Sequence, residues 1–320
     1  MSIQRCPNEV LDMVFHFLPF QSPDKAPAVV LSTMRTCSRF RAIAERHLIR
    51  VVCLQNAKRV NLFAAYLTQL INTGAYGKAR LPIEHMAVFG KYQIALFGFP
   101  RERSEPEKAA EYILPFIIST AAPTLHSLVI FGFDAQRMPE QVNDEDFRNI
   151  VQPSVRFPKL QKLILLEQRT ISLYRKPEEN SLQYCYPKLT ALYTHSGPIN
   201  GDIIALHTLR RLRLDMLDPY CTDACPSCPS GSHIETIIID ATPYTELFAR
   251  TYIRYKERYI QRVKYYQALV NSASNSLEGC VVVGRSPKNR RVHAGPVLRA
   301  WKDIVQGRLG CWEKEWKPIA

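Results

Sequence analysis

The residues best suited to chemistry are three closely spaced cysteines, Cys221, Cys225 and Cys228, with His233 shortly after them. Three thiolates and one imidazole are donors of the kind that hold zinc tetrahedrally. Residues 219–232 around them are rich in Pro, Ser and Cys and lie between two strand-like runs. That segment reads as a loop, where a structural zinc would replace a missing core. The spacing differs from the two separated pairs of a common zinc ribbon, so a loop with three unpaired thiols is the alternative.

A second candidate is basic. From Arg250 to Arg291 the chain has ten Lys or Arg against Glu257 and Glu278, a net of +8 within a total of +13. Phe248, Tyr252, Tyr255, Tyr259, Val263, Tyr266 and Val270 recur at spacings of three and four, which predicts a long helix over 245–270. Arg254, Arg258 and Arg262 fall on one strip of it. Clustered guanidinium groups suit an acidic or phosphorylated protein segment. Tyrosine beside Arg and Lys also suits nucleic acid, through stacking and phosphate contact. An aromatic stripe facing the core, with a solvated basic face behind it, accounts for the same spacing.

Nothing else points to an enzyme. No Gly-rich phosphate loop follows any strand-like run, and His85, His126, His195, His207 and His293 are scattered. Hydrophobic residues make up 46% of the chain and charged residues 22%, the balance of an ordinary globular protein. No apolar run is long enough to span a bilayer, and the N-terminus lacks the apolar core of a signal peptide. A cytoplasmic or nuclear protein with reduced cysteines and no membrane partner is expected.

These residues must be positioned by two kinds of element. Residues 7–50 read as helices. Val10, Leu11, Val14, Phe15 and Leu18 form the apolar side of the first, with Asn8 as its N-cap and Pro19 as its stop. A second helix is expected over 29–37 and a third over 39–47, with Phe40, Ile43 and Ala44 inward.

Downstream, one apolar word recurs: apolar, two residues, apolar, one residue, apolar. It occurs as Leu48-Val51-Cys53, Ile83-Met86-Val88, Leu125-Leu128-Ile130, Leu160-Leu163-Leu165, Leu189-Leu192-Thr194, Leu209-Leu212-Leu214, Ile234-Ile237-Ile239 and Leu277-Cys280-Val282. Two copies are introduced by similar sequence, Phe157-Pro158-Lys159 and Tyr186-Pro187-Lys188. Between the words lie helical segments, such as Val60, Phe63, Leu67 and Ile71, and Ser104 with Glu107 as a capping box before a helix containing Pro115. Strands alternating with helices imply parallel strands, arranged as a solenoid or as a doubly wound sheet. Trp301, Trp312 and Trp316 are expected to form a C-terminal cap.

The recurring word resembles the strand segment of leucine-rich repeats, although its intervals of 35, 42, 35, 29, 20, 25 and 43 residues are irregular. The opening Cys6-Pro7-Asn8-Glu9-Val10-Leu11, continuing to Val14-Phe15 and Leu18-Pro19, resembles the start of an F-box. Cys37-Ser38-Arg39-Phe40-Arg41 resembles its second half. Cys6 stands where the family usually has Leu, and Phe40 where it usually has Trp. The resemblance implies an α/β protein with a small N-terminal helical F-box over residues 1–50. An irregular leucine-rich-repeat-like solenoid for substrate recognition follows over residues 51–320. It implies a non-enzymatic substrate receptor of an SCF-type ubiquitin ligase, with a Skp-type adaptor and a cullin scaffold as partners and a protein substrate on the repeats. The adaptor-binding residues would be Pro7, Leu11, Val14, Phe15 and Leu18, and the substrate-binding residues Arg254, Arg258 and Arg262.

Overall fold

The structure, a computed structural model, describes residues 6–21, 23, 25–74, 81–90, 104–132, 155–166, 182–195, 206–215, 234–241, 281–284 and 294–310. Three helices come first: α1 (Asn8–Gln21), α2 (Ala26–Met34) and α3 (Ser38–Ala44), the last continued by a 3-10 turn over Glu45–His47. Their inner faces form a small core of Leu11, Phe15, Val30, Phe40, Ile43 and Ala44. The Phe15 and Phe40 rings meet edge to face at 5.2 Å. Cys37 is exposed and caps α3, its Sγ accepting from the Phe40 N–H at 3.4 Å.

Two sequence expectations fail in this unit. Pro19 does not stop α1, which runs on to Gln21 with Pro19 buried in its last turn. A proline near a helix end forfeits one hydrogen bond without breaking the helix. Asn8 is not a cap either. It lies inside the first turn, and its Oδ1 accepts from Arg39 Nε at 2.8 Å, tying α1 to α3. Arg39 also donates to the Cys6 carbonyl.

Eight parallel strands follow: β1 (Val51–Leu54), β2 (His85–Phe89), β3 (Ser127–Phe131), β4 (Lys162–Leu166), β5 (Ala191–His195), β6 (Arg211–Asp215), β7 (Thr236–Ala241) and β8 (Val281–Gly284). They form one sheet in chain order, without the reversal of order that a doubly wound sheet contains. The chain is therefore α/β, as the alternation of strand and helix patterns implied. Helix α4 (Ala57–Asn72) links β1 to β2, and α5 (Glu105–Ala121) links β2 to β3. Asn56 caps α4 by accepting from the Arg59 N–H at 3.0 Å. The Ser104 N–H donates to Glu107 at the head of α5 at 3.0 Å, and the helix passes through Pro115 unbroken. A one-turn helix, α6 (Leu182–Cys185), precedes β5, and α7 (Ala294–Val305) comes last.

The middle position of the apolar word forms one continuous row across the sheet: Val52, Met86, Leu128, Leu163, Leu192, Leu212 and Ile237. The first word is thus Ile49-Val52-Leu54, one residue later than Leu48-Val51-Cys53. Leu48 and Ile49 are both apolar and every position from Val51 to Leu54 is buried, so the word fits two frames here and only the register decides between them.

The start of each strand repeats too. The amides of Glu84 and His85 both donate to the Arg50 carbonyl, at 2.9 and 3.0 Å. Those of His126 and Ser127 share Glu84 O, and those of Gln161 and Lys162 share His126 O. The pattern continues to Gln161, Thr190 and Arg210 as acceptors, so Arg50, Glu84, His126, Gln161, Thr190, Arg210 and Glu235 are equivalent positions.

The two sheet faces are covered differently. The outer face, with Val52, Val88, Leu128, Ile130 and Leu163, packs under α4 and α5. The inner face, with Cys53, Phe89, Val129, Phe131, Ile164 and Leu166, receives Val297, Trp301, Ile304 and Val305 of α7. Trp301 therefore does not cap the C-terminal end of the sheet. Its helix lies over β2 and β3. Trp312 and Trp316 fall outside the described residues.

Candidate functional site

Helix α1 carries two apolar stripes. At about 100° per residue, Leu11, Phe15 and Leu18 fall on one side and Val10, Met13, Val14 and Phe17 on another. The first stripe turns inward: Leu11 and Phe15 are buried in the helical core, and Leu18 packs half-buried against it. The second faces outward. Met13 and Phe17 are each 59% exposed and Val14 47%, with Leu31 of α2 at 42%. Pro7 is exposed at the head of the helix.

Of the expected adaptor-binding residues, Pro7 and Val14 are thus accessible, whereas Leu11 and Phe15 are not. Reading the apolar positions of α1 as a single face merged two stripes. The offset of Val10, Met13, Val14 and Phe17, at i, i+3, i+4 and i+7, is the signal that separates them.

Where the helical unit meets the sheet, polar groups gather. Arg50, buried, donates Nη2 to both carboxylate oxygens of Glu84 at 2.6 Å and Nε to Oε1 at 3.0 Å. It also contacts His16 Nδ1 and lies 5.2 Å over the Phe20 ring. His47 Nε2 reaches Asp12 at 3.1 Å. His85 Nδ1 meets Ser127 Oγ at 2.8 Å, and the His85 ring sits against Phe20 and His126.

All four imidazoles are held toward the neutral form. Burial pushes His85 down to about 3, helped by His126, Arg50 and Lys162. Burial lowers His16 and His47 as well, against the pull of Asp12. Burial lowers His126, with Lys159, Arg50 and Lys188 acting in the same direction.

Glu84, His85 and His126 each offer one donor atom within 4.8 Å of the others, a donor set that zinc can use. The charges around them work against a cation. Arg50 already occupies the Glu84 carboxylate, Lys162 faces His85, and Lys159 and Lys188 face His126. What this arrangement does chemically is join α1 to the starts of β1, β2 and β3 through stacking and hydrogen bonds.

No protein-family model matches the chain, and neither a known curated protein nor a solved structure is significantly similar to it. Among the described residues, no helix is long and apolar enough to cross a membrane.

The other expected site residues are not brought into view. Cys221, Cys225, Cys228 and His233, expected to hold zinc, lie outside the described residues, as do Arg254, Arg258 and Arg262 and the helix expected over 245–270. The junction of His16, His47, His85 and His126 escaped sequence reasoning, because its members come from α1, the 3-10 turn and two strand starts. Their proximity emerges only once α1 is docked on the paired strand starts.

Proposed function

We propose that the chain is the substrate-recruiting subunit of an SCF-type ubiquitin ligase. In this reading α1, α2 and α3 act as an F-box that docks a Skp-type adaptor and, through it, a cullin. The parallel sheet with its outer helices acts as an irregular leucine-rich-repeat-like scaffold that carries a protein substrate. The role is proximity: holding the substrate near a ubiquitin-charged enzyme raises its effective concentration there.

The observation that carries this reading is the outward stripe of Val10, Met13, Val14 and Phe17. The helical unit already fills its own core with the other side of α1, so these side chains are surplus to folding. An exposed apolar stripe along one side of a helix suits a partner helix. The order of motifs from Pro7 to Phe40, and eight parallel strands in chain order behind them, agree with the reading.

The test is affinity purification of the full chain, with mass spectrometry of what it retains. Adaptor and cullin are expected with the parent. Both are expected to be lost from a Met13→Glu/Phe17→Glu variant that melts at the parental temperature. Undiminished capture by that variant sinks the assignment of this face. Nucleic acid retained without adaptor or cullin would favour instead a nucleic-acid-binding role for residues 250–291.

A further inference from the structure

We propose that the starts of β3, β4 and β5 form a binding site for a dianionic phosphate group, held between Lys159, Lys188, Gln161 and His126. This inference does not depend on the ubiquitin-ligase reading. The charges that work against a cation beside His126 are the ones that suit an anion. Glu84 is the carboxylate that acts on His126, and Arg50 already holds both of its oxygens.

Two copies of one turn make the site. Phe157-Pro158-Lys159-Leu160 leads into β4 and Tyr186-Pro187-Lys188-Leu189 into β5. The Leu160 amide donates to Phe157 O at 3.3 Å, and the Leu189 amide to Tyr186 O at 3.2 Å, so both turns close in the same way. The Phe157 and Tyr186 rings are buried and stack at 5.3 Å, with 13° between their planes. Stacked turns put Lys159 and Lys188 at equivalent positions one strand apart, a spacing of roughly 4.8 Å. Both lysines are exposed, and neither has a carboxylate partner among the described residues.

Two residues beyond Lys159 stands Gln161, exposed, and His126 is its equivalent at the start of β3, half-buried. Lys159 and Lys188 both act on His126 across these starts. The surroundings are positive as well. Residues 124–127, 155–162, 184–191 and 206–211 contain Arg156, Lys162, Arg210 and Arg211 besides the two lysines, and no Asp or Glu. Like charges held one strand apart repel, and an anion between them relieves the repulsion.

The donors select the kind of anion. Two ammonium groups, an imidazole N–H and a primary amide can serve the three terminal oxygens of a phosphate monoester, which carries close to two negative charges at neutral pH. A carboxylate brings one charge and two oxygens, and so does a phosphodiester. A nucleic-acid backbone is gripped through many such groups, whereas this site spans on the order of 10 Å, two strand spacings.

The test is nuclear magnetic resonance of the full chain carrying isotope-labelled histidine, with the His126 signal assigned from a His126→Gln variant. The probes are inorganic phosphate, a short alanine peptide with one central phosphoserine, the same peptide with serine, and dimethyl phosphate. Inorganic phosphate and the phosphoserine peptide are expected to shift His126 saturably, and the serine peptide and dimethyl phosphate are not. Tighter binding of the phosphoserine peptide assigns the site to a phosphorylated protein segment, and tighter binding of inorganic phosphate assigns it to the free anion. Lys159→Glu/Lys188→Glu should weaken binding roughly tenfold or more, and Lys159→Arg/Lys188→Arg should preserve it. Should the charge reversal lower the melting temperature, Lys159→Gln/Lys188→Gln replaces it with the same expected loss. A His126 signal that neither phosphate moves, an equal response to dimethyl phosphate, or equal affinity in the parent and the lysine-depleted variants overturns the proposal.

Discussion

Arg50 and Glu84 occupy equivalent positions at the starts of β1 and β2, and their side chains join across them: Arg50 Nη2 lies 2.6 Å from both Glu84 oxygens. The Arg50 side chain is 8% exposed and that of Glu84 23%. The pair also sits beneath α1, because Arg50 contacts His16 and Phe20. Removing one partner leaves a buried charge without its counter-ion. Glu84→Gln is therefore expected to lower unfolding stability by about 3 kcal/mol. Urea titration measures this, and a loss below about 0.5 kcal/mol would mean that water compensates Arg50 fully.

Acid should loosen the same junction. Burial holds His85 down to about 3, and unfolding returns it to about 6.5. A base with a depressed folded pKa binds more protons when unfolded. Its contribution is fully present above pH 6.5 or so and is lost as pH falls through the window toward about 3. At pH 5, His85 alone should withdraw about 2 kcal/mol, with His16, His47 and His126 acting in the same direction. Unfolding midpoints of the parent between pH 7.5 and 5 should fall, and those of His85→Asn should fall less. Parallel profiles for the two would remove His85 from the explanation.

The two stripes of α1 should separate under mutation. Leu11→Ala and Phe15→Ala each open a hole in a core of six buried residues and are expected to cost about 2–5 kcal/mol. Met13→Glu and Phe17→Glu change side chains that are 59% exposed and should stay within about 0.5 kcal/mol of the parent. Thermal unfolding of the four single variants tests the division. Large losses at Met13 or Phe17 would show that the outward stripe serves folding rather than docking.

The strands were legible in the sequence because the two residues after the first position of the word at Ile83, Leu125, Leu160, Leu189, Leu209 and Ile234 are polar or small, which leaves one frame for the word. The first was misplaced by one residue because Leu48-Val51-Cys53 and Ile49-Val52-Leu54 both fit the word, and only the pairing of Val52 with Met86 decides between them. The α5 start was legible from Ser104 and Glu107, whose reciprocal bonding is purely local. Helix α1 was legible as a helix, and the spacing of its apolar residues separates two stripes, but which of them faces inward is decided only by Phe40 and Ile43. The junction histidines and the seat of Trp301 depend on residues more than thirty positions apart along the chain. No local pattern announces contacts of that range.

The end of α7 offers a sharper test of its seat. The Gly307 amide donates to Ile304 O at 3.0 Å and that of Arg308 to Asp303 O at 2.8 Å, the paired bonds of a Schellman turn. Gly307 has φ 81° there, and a Cβ would meet nothing within 4 Å. Gly307→Ala should therefore cost only the backbone term, about 1 kcal/mol. Gly310 differs. At φ 62°, a Cβ would lie 2.5 Å from the Ala300 carbonyl oxygen and 2.9 Å from Ile304 Cγ1. The carbonyl belongs to α7 itself and cannot swing aside, so Gly310→Ala must displace the chain or the helix. It is expected to cost more than Gly307→Ala, by about 1–3 kcal/mol of overpacking. Because Ile304 is one of the four residues seated on the inner face, the damage should reach α7. Acrylamide quenching of tryptophan emission should rise in Gly310→Ala and stay near the parental value in Gly307→Ala. Equal quenching in the two variants would show that the turn closes independently of how α7 is seated.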